Sequence, residues 1–572
     1  MATDPTSATP LGDVQITYGR SGFGGLLKEP YLLFLASFAS IGGFLFGYDQ
    51  GVISGVLVTK DFVCIPLPNP DPPNTTLERI GSNASKAKQF PLLANDDTLQ
   101  GWVVSVLTLG ALFGALVNGP ISDRISRRWS ILLANIVFLI GSIIQASAFN
   151  IPQIFVGRAI AGLSVGQLSM VVPLYISELS PPAMRGSLVA FQQFGITFGI
   201  VTAFWLDFGT QFIGGTGDGQ SPAAWRFPLA FQTVPSVILS IGTFFLPYSP
   251  RWLIMKDREE EARASLARIR RVPESDCRIR LEMLEIQASA IFDKETTAAM
   301  YPGTTSPVSL LWKRYGSLFT IRHLNRRLFI ACFLQFMQQF TGINAIIYYA
   351  PQIFLKIGLS STTVSLLATG VVGIINLLST IPAILFIDRW GRRKVLLAGA
   401  VGMGVCQLIV ATIYAVYQDR LASNPGAGWA CAVFIWLYIA NFAWSIGCVN
   451  WIIPSEIFPP GVRSQAVGVA IGTNWLTNFI VALITPRLLN TIEFGTFYLF
   501  FAFCVLLFIW VFFWVPETKG IRIEEMDKLF GGNTGADDVK RMSEIQEQLR
   551  ISEAIADANK VQDASAVHIE TS

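Results

Sequence analysis

The chain has 572 residues, of which 52% are hydrophobic and 14% charged, against about a quarter charged in an ordinary soluble domain. A formal charge of +3 with no basic cluster argues against nucleic-acid binding. Two histidines (His323, His568) and seven cysteines without a CxxC pair offer no metal centre, no cofactor site and little for an enzyme.

After a polar segment, 1 to 30, with no basic n-region and apolar core of a cleavable signal, twelve apolar stretches long enough to cross a ~30 Å hydrocarbon layer follow. They span 31 to 57, 100 to 120, 130 to 149, 152 to 176, 187 to 207, 227 to 247, 328 to 350, 362 to 387, 395 to 417, 428 to 453, 464 to 486 and 495 to 515. The expected fold is an all-α membrane protein. Gly, Pro, Asn and Gln within these stretches face other helices or a water-filled path, because lipid cannot satisfy them.

Arg124, Arg127 and Arg128 after the second stretch, and Arg389, Arg392, Arg393 and Lys394 after the eighth, mark those loops as cytoplasmic. Both termini are then expected in the cytoplasm and the loop 58 to 99 outside. That loop carries two glycosylation sequons, at Asn74 and Asn83. The connection 250 to 327 is charged with helical spacing and reads as a cytoplasmic helical linker between an N-terminal half, 31 to 249, and a C-terminal half, 328 to 515. The tail, 516 to 572, is polar and expected to be partly disordered.

The halves repeat. Ser177 to Arg185 (SELSPPAMR) recurs as Ser455 to Arg463 (SEIFPPGVR), and Asp123 to Arg128 (DRISRR) recurs as Asp388 to Arg393 (DRWGRR). Two parallel six-helix repeats with substrate held between them form a rocking transporter. For a single arginine, positive-inside topology is sufficient explanation. Recurrence in both halves makes Asp123, Glu178, Arg185, Asp388, Glu456 and Arg463 a candidate cytoplasmic gate, since a network of charge pairs can poise a two-state equilibrium of a few kcal/mol.

These loops, with Gly157-Arg158, Pro247 to Leu253 (PYSPRWL), Gln338 to Asn344 (QQFTGIN) and Pro516 to Gly520 (PETKG), resemble the sugar porters of the major facilitator superfamily from about residue 30 to 520. Phe46 to Gly55 (FGYDQGVISG) looks most like fungal hexose transporters. Tyr248 stands where the family usually has Glu, and Ser126 where it usually has Gly. The resemblance implies the twelve-helix major facilitator fold, a plasma-membrane location and transport of a glucose-like monosaccharide without a cofactor.

A sugar ring presents hydroxyls that donate and accept, so neutral amides with an aromatic face suit it. Gln338 and Gln339 precede Gly342, and Asn344 and Tyr348 lie four apart beyond it, so a break at Gly342 would turn both sets inward. Asn376 adds an amide in the eighth helix. Trp451 lies between Gly447 and Pro454 in the tenth, and Asn474 and Asn478 share a face of the eleventh. Any one of these could equally bond a neighbouring helix. The resemblance implies that Gln193, Gln338, Gln339, Asn344, Asn376, Trp451 and Asn474 match sugar-contacting positions, with Asn478 and Trp475 beside them, and that Ala443 stands where some animal carriers have Glu.

Asp49 lies in the apolar first helix, with Arg158 of the fourth as its candidate partner. An intramembrane carboxylate is functional by default. Asp49 and Arg158 read as a proton switch for symport or as a fixed structural pair; facilitated diffusion and a transporter-like sugar receptor are the alternative functions. The tail after Gly520, about 50 residues, is short for such a receptor.

Overall fold

The computed structural model describes residues 29–59, 61–62, 96–181, 185–216, 220–304, 306–359, 361–421, 424–459, 462–518, 530 and 534–551. Asn74 and Asn83 lie outside these residues.

The first half consists of α1 (Pro30–Ala39), α2 (Ile41–Val56), α3 (Asp97–Ile125), α4 (Arg127–Ala146), α5 (Ile151–Leu179), α6 (Arg185–Thr210), α7 (Ala223–Phe231) and α8 (Thr233–Thr243). The linker carries α9 (Pro250–Met255), α10 (Glu259–Arg270), α11 (Cys277–Met300) and α12 (Pro307–Thr320). The second half comprises α13 (Arg322–Phe340), α14 (Ile343–Lys356), α15 (Thr362–Trp390), α16 (Arg392–Tyr417), α17 (Pro425–Trp444), α18 (Ile446–Ile457), α19 (Arg463–Thr491) and α20 (Gly495–Trp514), and α21 (Thr534–Gln548) lies in the tail.

Eleven segments among the described residues are long and apolar enough to span a membrane. Of the stretch 227 to 247, residues up to Thr243 lie in α7 and α8, two short helices meeting at Gln232, with Pro228 inside α7. Side chains begin the long helices: Asp96 accepts from the Thr98 and Leu99 amides, and Asn150 from that of Gln153. Breaks fall beside the candidate site. Gly342, at φ +95°, separates α13 from α14, and Ser445, at φ −113° and ψ −103°, separates α17 from α18.

The halves meet where α3 packs on α19, α6 on α15 and α2 on α14. Within the first half α2 lies against α6 through small residues every fourth position: Gly43, Gly47, Gly51 and Gly55 on α2, and Gly195, Gly199 and Ala203 on α6. A methyl group added at Gly47 would collide with the Ile196 carbonyl. Such a ladder lets backbones approach in lipid, where dispersion contacts replace the hydrophobic effect between helices. Gly47→Ala is therefore expected to destabilise the protein by about 1–3 kcal/mol through overpacking. Thermal unfolding of the purified variant measures this; an unchanged midpoint would count against the ladder.

The linker has its own small core of Trp252, Leu253, Ala262, Leu266, Ile279 and Met283. Arg270 ties it to the membrane half, pairing with Glu282 at 2.5 Å and donating to the Leu179 carbonyl at 3.0 Å. In the tail, expected to be partly disordered, residues 534–548 form a helix, and Ile545 and Ile551 pack on Leu281, Ala288 and Phe292 of α11.

Candidate functional site

The break at Gly342 does what the spacing suggests: it lets α13 and α14 present amides to one another and to α19. Asn344 Nδ2 donates to Gln339 Oε1 at 2.7 Å, and Gln339 Nε2 donates to Asn474 Oδ1 at 3.1 Å. Asn474 Nδ2 in turn donates to Gln335 Oε1 at 2.7 Å and Gln338 Oε1 at 2.9 Å. Asn450 on α18 donates to the same two acceptors, at 2.6 Å for Gln335. Gln335 and Asn450 escape the sequence reading; Gln335 also donates to the Asn450 carbonyl at 3.0 Å, fixing α18 just beyond its break at Ser445.

The cluster reaches across the interface between the halves. Gln50 of α2 donates to Tyr348 Oη at 2.9 Å and to Asn344 Oδ1 at 3.3 Å, and Asn478 donates to Tyr348 at 3.3 Å. Trp475 Nε1 donates to Ser169 of α5 at 3.3 Å, and its ring meets Phe46 edge-on with centroids 5.0 Å apart. All these amides are buried and neutral, so they exchange hydrogen bonds with one another here and can exchange them with ring hydroxyls when the halves part.

Three expected residues lie outside this network. Asn376 is 2% exposed on α15 with Oδ1 lacking a partner, an available acceptor. Trp451 is half-buried at the edge of the core. Gln193 is half-buried on α6, and its side chain makes no hydrogen bond among the described residues.

Asp49 and Arg158 face each other at 3.7 Å, both 0% exposed. Neither Asp49 oxygen has a hydrogen-bond partner, and Arg158 Nε and Nη1 have none either; Nη2 donates weakly to the Val104 carbonyl at 3.4 Å. A fixed buried ion pair offsets its desolvation through close hydrogen-bonded geometry, and this pair lacks it. The preceding and following residues on α2 divide the work: Asp49 looks to α5 of its own half, and Gln50 to α14 of the other.

At the candidate gate the ion pairs among the described residues stay within each half. Arg127, at the start of α4, pairs with Glu178 at 3.0 Å and with Asp123 at 3.0 Å, while Ser249 donates to Glu178 at 2.5 Å. The second half repeats the pattern, with Arg392 pairing with Glu456 at 2.9 Å and Thr518 donating to Glu456 at 2.7 Å. Arg463 donates to the Phe458 carbonyl at 3.1 Å. The central cations are thus Arg127 and Arg392, which the sequence reading placed in the basic loops but not in the gate. The side chains of Arg185 and Asp388 lie outside what is described.

The same symmetry explains two unusual residues. Gly391 at φ +87° and ψ 150° and Ser126 at φ +84° and ψ 159° share one backbone conformation, nearly restricted to glycine. In the second half Glu517 caps α16, accepting from the Arg392 amide at 2.8 Å and the Arg393 amide at 3.1 Å. Tyr248 holds the equivalent place in the first half but accepts from Trp129 Nε1 at 2.9 Å and stacks on Trp252. With no carboxylate there, Ser126 Oγ takes over the cap, accepting from the Trp129 amide at 3.5 Å. Ser126→Gly alone is expected to change stability little, relief of about 1–3 kcal/mol of backbone strain offsetting a lost cap of about 1 kcal/mol. Combined with Tyr248→Glu it is expected to stabilise by more than the sum of the singles; additive melting temperatures would show the positions are uncoupled.

A model of the family described as sugar (and other) transporter matches residues 35–530. The major facilitator-type transporter ecdD of Aspergillus rugulosus is 36% identical over 510 residues, covering 87% of each chain. A probable quinate permease of Aspergillus fumigatus is 34% identical over 516 residues, covering 88% of each. Among solved structures, the proton:xylose symporter XylE bound to 6-bromo-6-deoxy-D-glucose superposes with a TM-score of 0.68 at 28% identity, over 88% of this chain and 99% of that one. Two repeated halves, buried amides where they meet and ion pairs repeated at matching helix ends agree with these matches: the chain belongs to the sugar porter family of major facilitator transporters.

Proposed function

We propose that this transporter carries a glucose-like monosaccharide across the plasma membrane, with both termini cytoplasmic, and couples it to a proton held by Asp49. The observation that supports this reading most is the continuous set of neutral amides from Gln50 through Asn344, Gln339 and Asn474 to Gln338 and Asn450. It offers both donors and acceptors at the interface that rocking opens, and it contains no cation. In this reading Asn376, Trp451 and Gln193 join the set when the halves move.

Proton coupling draws on the loosely held Asp49 to Arg158 pair. Burial disfavours the charged carboxylate and Arg158 favours it, so a small change in their separation alters proton occupancy. The gate carboxylates Asp123, Glu178 and Glu456, held by Arg127 and Arg392, stabilise the closed cytoplasmic side, with Arg185, Asp388 and Arg463 at the matching helix ends. Facilitated diffusion is the outcome if Asp49 proves to be structural.

A second reading, a hydroxylated ring carboxylate, is favoured by the likeness to probable quinate permeases. Uptake of radiolabelled glucose by a transporter-deficient cell expressing the chain, competed with xylose, a polyol, a disaccharide and quinate, separates the two. Monosaccharides are expected to compete best. Quinate uptake with no response to glucose would replace the sugar reading, and no uptake of any of them would favour a receptor.

A further inference from the structure

The small-residue ladder between α2 and α6 ends on a residue that does not belong in it. Gly195, Gly199 and Ala203 recur every fourth position on α6, and the next rung is Asp207. Its carboxylate lies against Gly55, the last rung of α2, where an added methyl would collide with Asp207 Cβ and Oδ2. Asp207 is 5% exposed, and neither oxygen meets a hydrogen-bond partner.

Among the described residues no basic group pairs with it. On α2, Tyr48 donates its hydroxyl to the Pro228 carbonyl at 2.8 Å and Asp49 faces Arg158 of α5. Glu178 of α5 is held by Arg127. On α7, Arg226 donates to the Ala148 carbonyl at 3.1 Å. Arg271 lies over the Tyr31 ring of α1, and Glu456 of α18 pairs with Arg392. The stretch of α15 from Thr362 to Ile387 contains no ionisable residue, and Asp61, beyond α2, accepts from Trp225 Nε1 at 3.0 Å.

An ionised carboxylate buried without a partner costs several kcal/mol, and a neutral acid far less. A route for protons is at hand: one turn beyond Asp207, Gln211 lines a small polar cavity with Thr59, Thr216 and Gln220, at the end of the bundle where α2 finishes.

We propose that Asp207 is a second proton-binding site, loaded from the side of the membrane at which α2 ends, and that its proton is required for α2 and α6 to close on each other there. Asp49 sits about two turns from Gly55 on α2 and faces Arg158 of α5, whereas Asp207 lies on α6 against Gly55, so the two carboxylates are separate sites. The proposal uses the transport reading only for one of its readouts.

Two measurements test it on the full-length protein. Infrared difference spectra between acid and alkaline pH are expected to show a protonated-carboxyl carbonyl band that Asp207→Asn removes and Asp49→Asn retains. In vesicles with the pH varied only on the Asp207 side, sugar exchange is expected to fall by up to about tenfold per pH unit above the midpoint of this group. Asp207→Asn, which mimics the neutral acid, is expected to abolish that dependence, and Asp207→Glu to keep it with a shifted midpoint. An Asp207→Asn protein with an unchanged carboxyl band or an unchanged pH profile would overturn the proposal. So would failure of that variant to fold, because a neutral side chain of the same shape is what this packing accepts.

Discussion

Asp49→Asn is expected to reduce sugar accumulation from roughly 50-fold to equality while leaving exchange of labelled for unlabelled sugar in place. One charge moved through ~100 mV is worth about 2.3 kcal/mol, and each 1.4 kcal/mol is a factor of ten, so one coupled proton supports a gradient of that order. The asparagine keeps the shape of the carboxylate beside Arg158 but cannot take up and release a proton. Exchange needs only rocking and substrate binding, and both remain. Concentrative uptake by the variant equal to that of the natural chain would assign Asp49 a structural role and leave a uniporter. Loss of both activities in a protein that still reaches the membrane would place Asp49 in the folding of the interface instead.

Asn474→Ala is expected to weaken substrate binding by about 5- to 150-fold. Asn474 is the hub of the amide set: it accepts from Gln339 and donates to Gln335 and Gln338. In the bound state its loss leaves a ring hydroxyl without a partner, which costs about 1–3 kcal/mol, while re-pairing among Asn450, Gln335 and Gln338 keeps the cost to the empty site small. Asn474→Asp preserves size and acceptors but replaces the donating Nδ2, so it tests the direction of the bonds. Concentration dependence of labelled-sugar uptake reads the change as KM; an unaltered KM in Asn474→Ala would remove the cluster from the binding site.

Much of the architecture is legible in the amino-acid order because bilayer thickness fixes the length of an apolar stretch and duplication writes each gate twice. The breaks at Gly342 and near Ser445 are legible for a similar reason, since Gly and Pro interrupt helices in known ways. Gln335 and Asn450 are not legible. An isolated Gln or Asn in an apolar helix looks the same whether it faces a substrate path or a neighbour, and only the packing of α13 on α18 and α19 brings these two into one cluster. Gln50 is hidden by its neighbour Asp49, whose charge draws attention to the face of α2 toward α5 and away from the face toward α14.

The gate shows the opposite limitation. Matching acids and bases at helix ends suggest a network of pairs without saying which partners meet; Arg127, only four residues beyond Asp123, also reaches Glu178 without leaving its half. The spacing of Gly43, Gly47, Gly51 and Gly55 is visible in the sequence and signals a close helix contact. Asp207 stands at the end of a predicted span, where a carboxylate passes for an interfacial residue, until the ladder shows which side of α6 it occupies.

The central claim is that Asp49 and Gln50, adjacent on one helix, join proton binding in the first half to sugar binding across the interface. Its most direct test is proton entry into proteoliposomes loaded with a pH-sensitive dye when glucose is added outside, with membrane voltage clamped at zero and sugar uptake counted in parallel. One proton is expected to enter with each sugar. Sugar uptake at the same rate with no change in internal pH would contradict the account.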